Sequence, residues 1–499
     1  MKRYIKSTAF AAMLSGTLLT GCSEELTITP YDGLTSTQVV NTPEGLKAAT
    51  LGNYAILKDG NYIRSYHMMS EFPSDNVSLS GTTSDPLYFS YNYNHIKTSA
   101  LATNFYTKSY QAVYGANVII GLLKEGQSAE LDQVLGENYF LRALLHFHLA
   151  NVFARPYAPD AGASPGVIVV KSTEQPAQKP TRGTVKEVYA AIIQDLEKSI
   201  GLMTVAKNNN FASKEVAYAM LSRIYLYMEN NEKAIEYANK VISSNRYSLV
   251  PTANLSKYYT TVPESNTETI FAVRHTVKDN RGYSAIGAMY LSDGEGWGEM
   301  YASEKYRKLI DKFPNDKRRE YIVPVYEKNA DGSIKTDAAG NKVLAARNGY
   351  PKYYITKFSY QEGYPMLSSP VFFRLAEMYL IRAEANAKLG KNADALEDVN
   401  LIRKRAGLSG TELFSASNMM GYTSVLDVVL EESHLEFAWE GLRKHDIFRN
   451  KRTMERNYPG THLLAGAVKQ EIPYTHPRVV HFFPEAETVL NPSLVQNPE

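Results

Sequence analysis

The chain has 499 residues, 54 Lys+Arg against 52 Asp+Glu, 44% hydrophobic content and a single cysteine, Cys22. A charge this close to balance gives no electrostatic case for nucleic acid as a partner. One cysteine excludes an internal disulfide, so the core alone must stabilise the fold.

Taken in chain order, Lys2, Arg3 and Lys6 precede an uncharged run, Thr8 to Thr20. That is a basic n-region and an apolar h-region of signal-peptide length, too short for a permanent membrane span. The run ends in LLTGC, which resembles a bacterial lipobox. The resemblance implies a signal peptide over 1–21 and a lipidated Cys22 as first residue of the mature chain. Ser23-Glu24-Glu25 is similar to the acidic tract that sends Bacteroidetes lipoproteins to the cell surface. Removing residues 1–21 takes three positive charges, 54 − 3 = 51 against 52, which leaves a mature charge of −1. No later stretch approaches the ~20 apolar residues that a spanning helix needs.

Residues 22–42 read as a polar tether, and the domain is expected over 43–499. Helical scaffold is predicted over about 43–250 and 367–450, with a loop-rich lobe largely at 251–366. The stretch after Asp75-Asn76 is a long loop, and LYFSYNYN within it is read as a strand presenting Tyr88, Tyr91 and Tyr93 together. His146-x-His148 cannot share one ion on a helix, because residues two apart point to different faces. Both are read as packing or surface histidines, with no metal site.

ENYFLRALLHFHLANVFA and TVKEVYAAIIQDLEKSI carry helical periodicity. Ala217, Met220, Leu221, Ile224 and Met228 form one apolar stripe; Ala234, Ile235, Ala238, Val241 and Ile242 form the next. Two such helices joined by a short polar turn make an αα-hairpin. The design returns with Phe372, Leu375, Ala376, Tyr379, Ala383 and Ala387, closed by Gly390 as a left-handed cap. Its partner carries Ala395, Leu396, Val399, Ile402 and Ala406, closed by Gly407. Both pairs resemble tetratricopeptide repeats, about 160 residues apart, so no tandem array is present.

Between the hairpins, ETIFAVRHT and YPKYYITKF are strand-like runs among Gly, Pro and Asn breaks. EKNADGSIKTDA approaches a calcium loop, but Ala338 stands where a bidentate carboxylate is required, so a hairpin turn at Asp331-Gly332 is expected. Glu432, Glu436 and Glu440 recur at i+4 and are read as a solvated charged face, partly paired with Arg443. Acid and base roles need environments that separate two pKa values, which one solvated face does not supply. No G-x-S-x-G and no Gly-rich phosphate loop occurs. The chain is therefore read as a non-enzyme without cofactor.

Tyrosine is the compositional oddity: 36 Tyr against 18 Phe and 2 Trp. A Tyr ring offers a stiff apolar face and a hydroxyl, which suits ligand surfaces. Most of these rings must pack helices, so loop aromatics are the better candidates. They are Tyr88, Tyr91 and Tyr93, then Tyr283, Tyr290 and Trp297 in NRGYSAIGAMYLSDGEGWGEMY, with Asp75 and Asn76 at the mouth of the first loop.

FRLAEMYLIRAEANAKLG with VNLIRKRAGL, then LEFAWEGLRKHDIFR, then LNPSLVQNPE, follow in order behind the lipobox. Together they resemble the SusD/RagB family of Bacteroidetes outer-membrane nutrient-binding lipoproteins. The resemblance implies a mainly α fold, a tetratricopeptide-like scaffold with an irregular lobe containing short strands. It further implies a lipid-anchored protein on the cell exterior that captures glycan and delivers it, without chemistry, to a SusC-like TonB-dependent transporter. A peptide-binding RagB-like subunit and a helical scaffold lipoprotein binding protein partners are the alternatives. The family motifs are scaffold, so they transfer no ligand residue.

Overall fold

The computed structural model describes residues 42–81, 86–174, 178–463 and 466–499. The lipobox, Cys22 and nearly all of the tether lie outside the described residues. The chain divides into two compact units, Met1–Ala49 and Thr50–Glu499. In the first unit the described residues hold the opening turns of helix α1 (Pro43–Ile56), where a proline N-terminus loses no helical hydrogen bond.

The second unit continues with α2 (Ile63–Glu71), α3 (Pro86–Tyr91), α4 (Ala100–Leu122), α5 (Ala129–Phe153), α6 (Val185–Leu202), α7 (Lys214–Tyr227) and α8 (Asn231–Ile242). Helix α9 (Glu304–Ile310) lies within the 251–366 lobe, and after the lobe come α10 (Leu375–Lys388), α11 (Asn392–Arg405), α12 (Val425–Phe437), α13 (Arg443–Arg449) and α14 (Glu485–Leu490). Helix α5 packs between α4 and α6; α7 pairs with α8; α8 lies against α10, which pairs with α11. The fold is thus mainly helical and built from tetratricopeptide-like pairs.

Local chemistry explains the boundaries. Ser128 and Ser213 accept from backbone N–H groups of the first turns they cap, and Thr184 with Glu187 closes a reciprocal capping box. Gly390 at φ 75° and Gly407 at φ 97° terminate α10 and α11 in the left-handed region, as their positions foretold. Ala234, Ala238, Ala383 and Ala395 are fully buried, which lets the paired helices approach closely.

The strands are short and paired in twos, all antiparallel. They are β1 (Val77–Leu79), β2 (Thr269–Ala272), β3 (Met300–Ala302), β4 (Ile322–Pro324), β5 (Ala346–Arg347), β6 (Tyr350–Pro351), β7 (Tyr353–Ile355), β8 (Val371–Arg374), β9 (Met454–Arg456) and β10 (Gln470–Ile472). β1 pairs β3, β2 pairs β8, β4 pairs β7, β5 pairs β6 and β9 pairs β10. The expected turn at Asp331-Gly332 is present: Asn329 N donates to Ser333 O at 2.9 Å, and Asp331 Oδ1 accepts from Ser333 N.

Three sequence expectations need correction. LYFSYNYN is not a strand; its first half is the helix α3, and the spacing of three between Tyr88 and Tyr91 suits a helical turn. Phe372 belongs to β8, not to a helix, because Val371, Phe373 and Arg374 pair with β2. Helix α12 stops at Phe437, so Glu440 lies beyond it, after Trp439 at φ 66°.

The glutamates are not solvated either. Glu432 and Glu436 are nearly inaccessible and sit in a buried ion network. Arg318 bonds Asp316 at 2.6 Å, Glu432 at 2.7 Å and Glu436 at 3.1 Å. Arg403 takes the other Glu432 oxygen at 2.8 Å, and Arg374 meets Glu268 at 2.9 Å, Glu436 at 2.5 Å and Glu440 at 2.8 Å. Arg405 completes Glu268 and Glu436, and Lys357 reaches Glu440 at 2.6 Å. Arg443, the partner expected for this face, pairs instead with Asp75. Burial alone would push the Glu436 carboxyl up, but Arg405, Arg374 and Arg318 together hold it well below the usual carboxylate range. Each carboxylate is balanced by a cation, which is how such charges persist away from water.

Candidate functional site

The lobe presents its rings on two loops that are stitched to each other. On the first, Tyr283 is 55% exposed and Trp297 is half-buried. Trp297 Nε1 donates to Tyr283 O at 2.9 Å, and Trp297 N donates to Ala288 O at 2.7 Å. A Cβ at Gly296 would lie 2.4 Å from Ala288 O, so only glycine permits this close return of the chain. The Arg64 guanidinium stands 5.7 Å from the Trp297 ring centroid. The indole is therefore held in place by its own chain.

On the second loop, Tyr360 at φ 62° and Glu362 at φ 53° occupy the left-handed region. Strain of this kind costs about 1–3 kcal/mol per residue and persists where the surroundings impose it. Buried Gln361 does the imposing: its Nε2 donates to His275 O at 3.0 Å and its Oε1 accepts from Ser369 at 2.7 Å. As a result Tyr360 is turned to the surface, where its hydroxyl donates to Glu295 at 2.8 Å, and Tyr364 is 46% exposed. That Tyr360–Glu295 bond ties the second loop to the first.

A polar rim adjoins the rings. Lys352 pairs with Asp293 at 2.9 Å, Arg347 with Glu299 at 3.0 Å, and Asn348 donates to Ser80 O at 2.6 Å. Arg274 pairs with Glu362 at 3.0 Å on the other side. Flat apolar faces beside fixed donors and acceptors can stack on one side of a ring-shaped polar molecule and hydrogen-bond its edge.

Comparison with known proteins decides the family. Residues 28–226 match a family model described as "Starch-binding associating with outer membrane". Residues 208–499, which is 292 of the 499, match the model of the SusD family. The chain belongs to the SusD family.

Its curated relatives include SusD-like protein P38 of Formosa agariphila, 25% identical over 483 residues, covering 90% of this chain and 92% of that one. Among solved structures, a SusD superfamily protein of Bacteroides thetaiotaomicron is 26% identical with a TM-score of 0.80, covering 92% of this chain and 100% of that one. A second, from Bacteroides vulgatus, is 27% identical with a TM-score of 0.77, covering 92% and 99%.

Within this SusD-family frame, the sequence-derived candidates divide by burial. Asp75 and Asn76 are fully buried, so they do not form a loop mouth. Asp75 bonds Arg443 at 2.9 Å and Lys305 at 2.8 Å; burial raises its carboxyl, but Arg443, His434 and Lys305 hold it well below the ordinary value. Asn76 donates to Glu71 at 2.8 Å and lies 2.6 Å from His434 Nε2. Tyr91, Tyr93 and Tyr290 are also buried and bond His462, Pro73 O and His67 respectively. Asp75 with Lys305 and Tyr290 with His67 tie the lobe to the scaffold, the others bond outside the lobe, and all five are buried, which corrects their assignment as an open ligand surface. Tyr88 is half-buried, packs against the main core, accepts from Asn92 Nδ2 at 2.6 Å and meets the Phe89 ring edge-on.

Sequence reading did not single out Tyr360, Tyr364 or Arg64 as neighbours of this surface. SYQEGYP has the aromatic-plus-glycine signal that pointed to Tyr283, so the first two were within reach. Arg64 was not, because nothing local marks a residue at the start of α2 as lying under a loop more than 200 residues away.

Proposed function

We propose that this chain is a lipoprotein anchored through Cys22 to the outer membrane, facing the exterior. It captures oligo- or polysaccharide without catalysis and passes it to a SusC-like TonB-dependent transporter. Tyr283, Trp297, Tyr360 and Tyr364 form the stacking surface, with Tyr88 as an outlying contact. The observation that carries this reading is the Trp297–Tyr283 pair, in which the half-buried indole is fixed to the Tyr283 backbone and the Tyr283 ring stands exposed. The starch-binding, outer-membrane description of the matching family model supports it. So does the occupation of Glu432, Glu436 and Glu440 by cations, which removes the one repeated carboxylate set as an acid–base pair.

Isothermal titration against a panel of polysaccharides and peptides, with reducing-sugar release monitored, tests it. Binding of a glycan without turnover is the expected result. Turnover would overturn the non-catalytic reading, peptide binding alone would point to a RagB-like role, and silence to every glycan would refute glycan capture.

A further inference from the structure

Two partly enclosed cavities, one lined by Tyr66 and the other by Asn151, adjoin a single hydrogen bond, Asn151 Nδ2 to the Tyr66 hydroxyl at 3.1 Å. The larger, with about 60 Å³ of room for water centres, is lined by Tyr66, His67, Ser70, His148, Arg223 and Arg374 among others. The smaller, with about 20 Å³, is lined by Asn151, Tyr157, Tyr189, Tyr227, Lys444 and His445 among others. Each is lined by a buried polar atom without a hydrogen-bond partner among the described residues. Ser70 Oγ, beside the Tyr66 hydroxyl, finds no bond of acceptable geometry, and His445 Nε2 has none. Ser70 is 1% exposed and His445 is 8% exposed, so bulk solvent does not serve them.

The charge of the larger cavity restricts its occupant. Arg223 bonds Glu377 at 2.5 and 2.7 Å, and Arg374 bonds Glu440 at 2.8 Å, so two cations and two carboxylates of the wall cancel. Burial holds His67 down to about 3, and it holds His148 well below the usual imidazole range, so both rings are neutral. A cation would face the two guanidiniums and an anion the two carboxylates. A neutral molecule that both donates and accepts fits. In the smaller cavity burial pushes Lys444 down to about 7, and its described hydrogen bond goes to Met69 O at 3.3 Å, which leaves N–H donors to be met whether or not the amine is charged.

We infer that the two cavities are adjacent buried hydration sites, parted by the Tyr66–Asn151 bond, whose ordered waters complete Ser70 in the larger and His445 and Lys444 in the smaller. One water needs roughly 10–15 Å³ to enter and takes up about 30 Å³ of liquid, so the larger has room for about two waters and the smaller for about one. Ile286 and Phe358 also line the larger cavity. They belong to the stretches that carry Tyr283 and Tyr360, so the waters underlie both aromatic loops.

A crystal structure of the full chain at about 1.5 Å resolution tests this. Water density within hydrogen-bonding distance of Ser70 Oγ and His445 Nε2 is expected. Dry cavities, or a peak with the short, regular contacts of a metal ion, would overturn it. In the same crystals Ser70→Ala and His445→Phe should each lose the water on the deleted atom and keep those of the other cavity. If all waters stay in place in both variants, those two side chains do not hold them.

Discussion

Glu436 accepts from Arg318, Arg374 and Arg405 at once. Replacing it by Gln keeps the shape and removes the charge that offsets those guanidiniums. Breaking one partner from a buried ion cluster costs about 3–5 kcal/mol, so Glu436→Gln should lower the urea midpoint sharply with an unchanged slope. The aromatic residues separate into two classes under the same test. Tyr283→Ala should weaken glycan binding about tenfold, near 1.4 kcal/mol, and leave the melting temperature nearly unchanged, because the ring is mostly in solvent. Tyr290→Phe should do the opposite. It removes the 2.6 Å bond to His67 and about 1–3 kcal/mol of stability, with glycan affinity intact in titration calorimetry. If Tyr290→Phe weakens binding as Tyr283→Ala does, the separation of frame from recognition surface is wrong.

At the scale of elements, the paired helices depend on small residues at their crossings. Ala383 on α10 is fully buried in the cluster with Leu396, Val399 and Phe437. Ala383→Leu adds volume where no gap exists and should destabilise by about 1–3 kcal/mol, read from chemical denaturation. The periodicity of these helices was legible because each buries one stripe, and their glycine ends were legible because αL geometry selects glycine. Phe372 was not legible as a strand residue: VFFR is short and apolar, and only its distant partner β2 distinguishes strand from helix. Glu432 and Glu436 misled for a related reason. An i+4 run of carboxylates looks the same whether it meets water or arginines contributed by residues 318, 374 and 405. The loop rings were half legible as surface rings: glycine flanks pointed to Tyr283, which is exposed, and Trp297, which is half-buried, whereas Tyr91, Tyr93 and Tyr290 differ from them by long-range burial that spacing does not encode.

Across the whole molecule, histidine behaves uniformly. Burial pushes His67, His95, His146 and His462 down to about 3 and His275 to about 4. It pushes His148, His434, His445 and His481 well below 6.5. In the native state these nine rings refuse protons that the unfolded chain accepts from pH 6.5 downward. Their contribution to stability is thus complete above 6.5 and is lost as pH falls toward the native values. Imidazole proton resonances should show that none of the nine titrates between pH 8 and 5, and the melting temperature should decline below pH 6.5. A ring that titrates near 6.5 would contradict the burial assigned to it.

The buried ion network has a consequence for anyone who would reshape recognition by recombination. Glu268, Asp316, Arg318 and Lys357 come from the 251–366 region, whereas Arg374, Arg403, Arg405, Glu432, Glu436 and Glu440 come from the helical frame. Each contingent is neutral in sum, yet the bonds run between them. A donor segment transplanted into this host would therefore fold only if it brought the same four ionic side chains at matching depth. Point changes on the outer rings carry no such requirement, which makes the rings, and not the segment, the natural unit for retuning specificity.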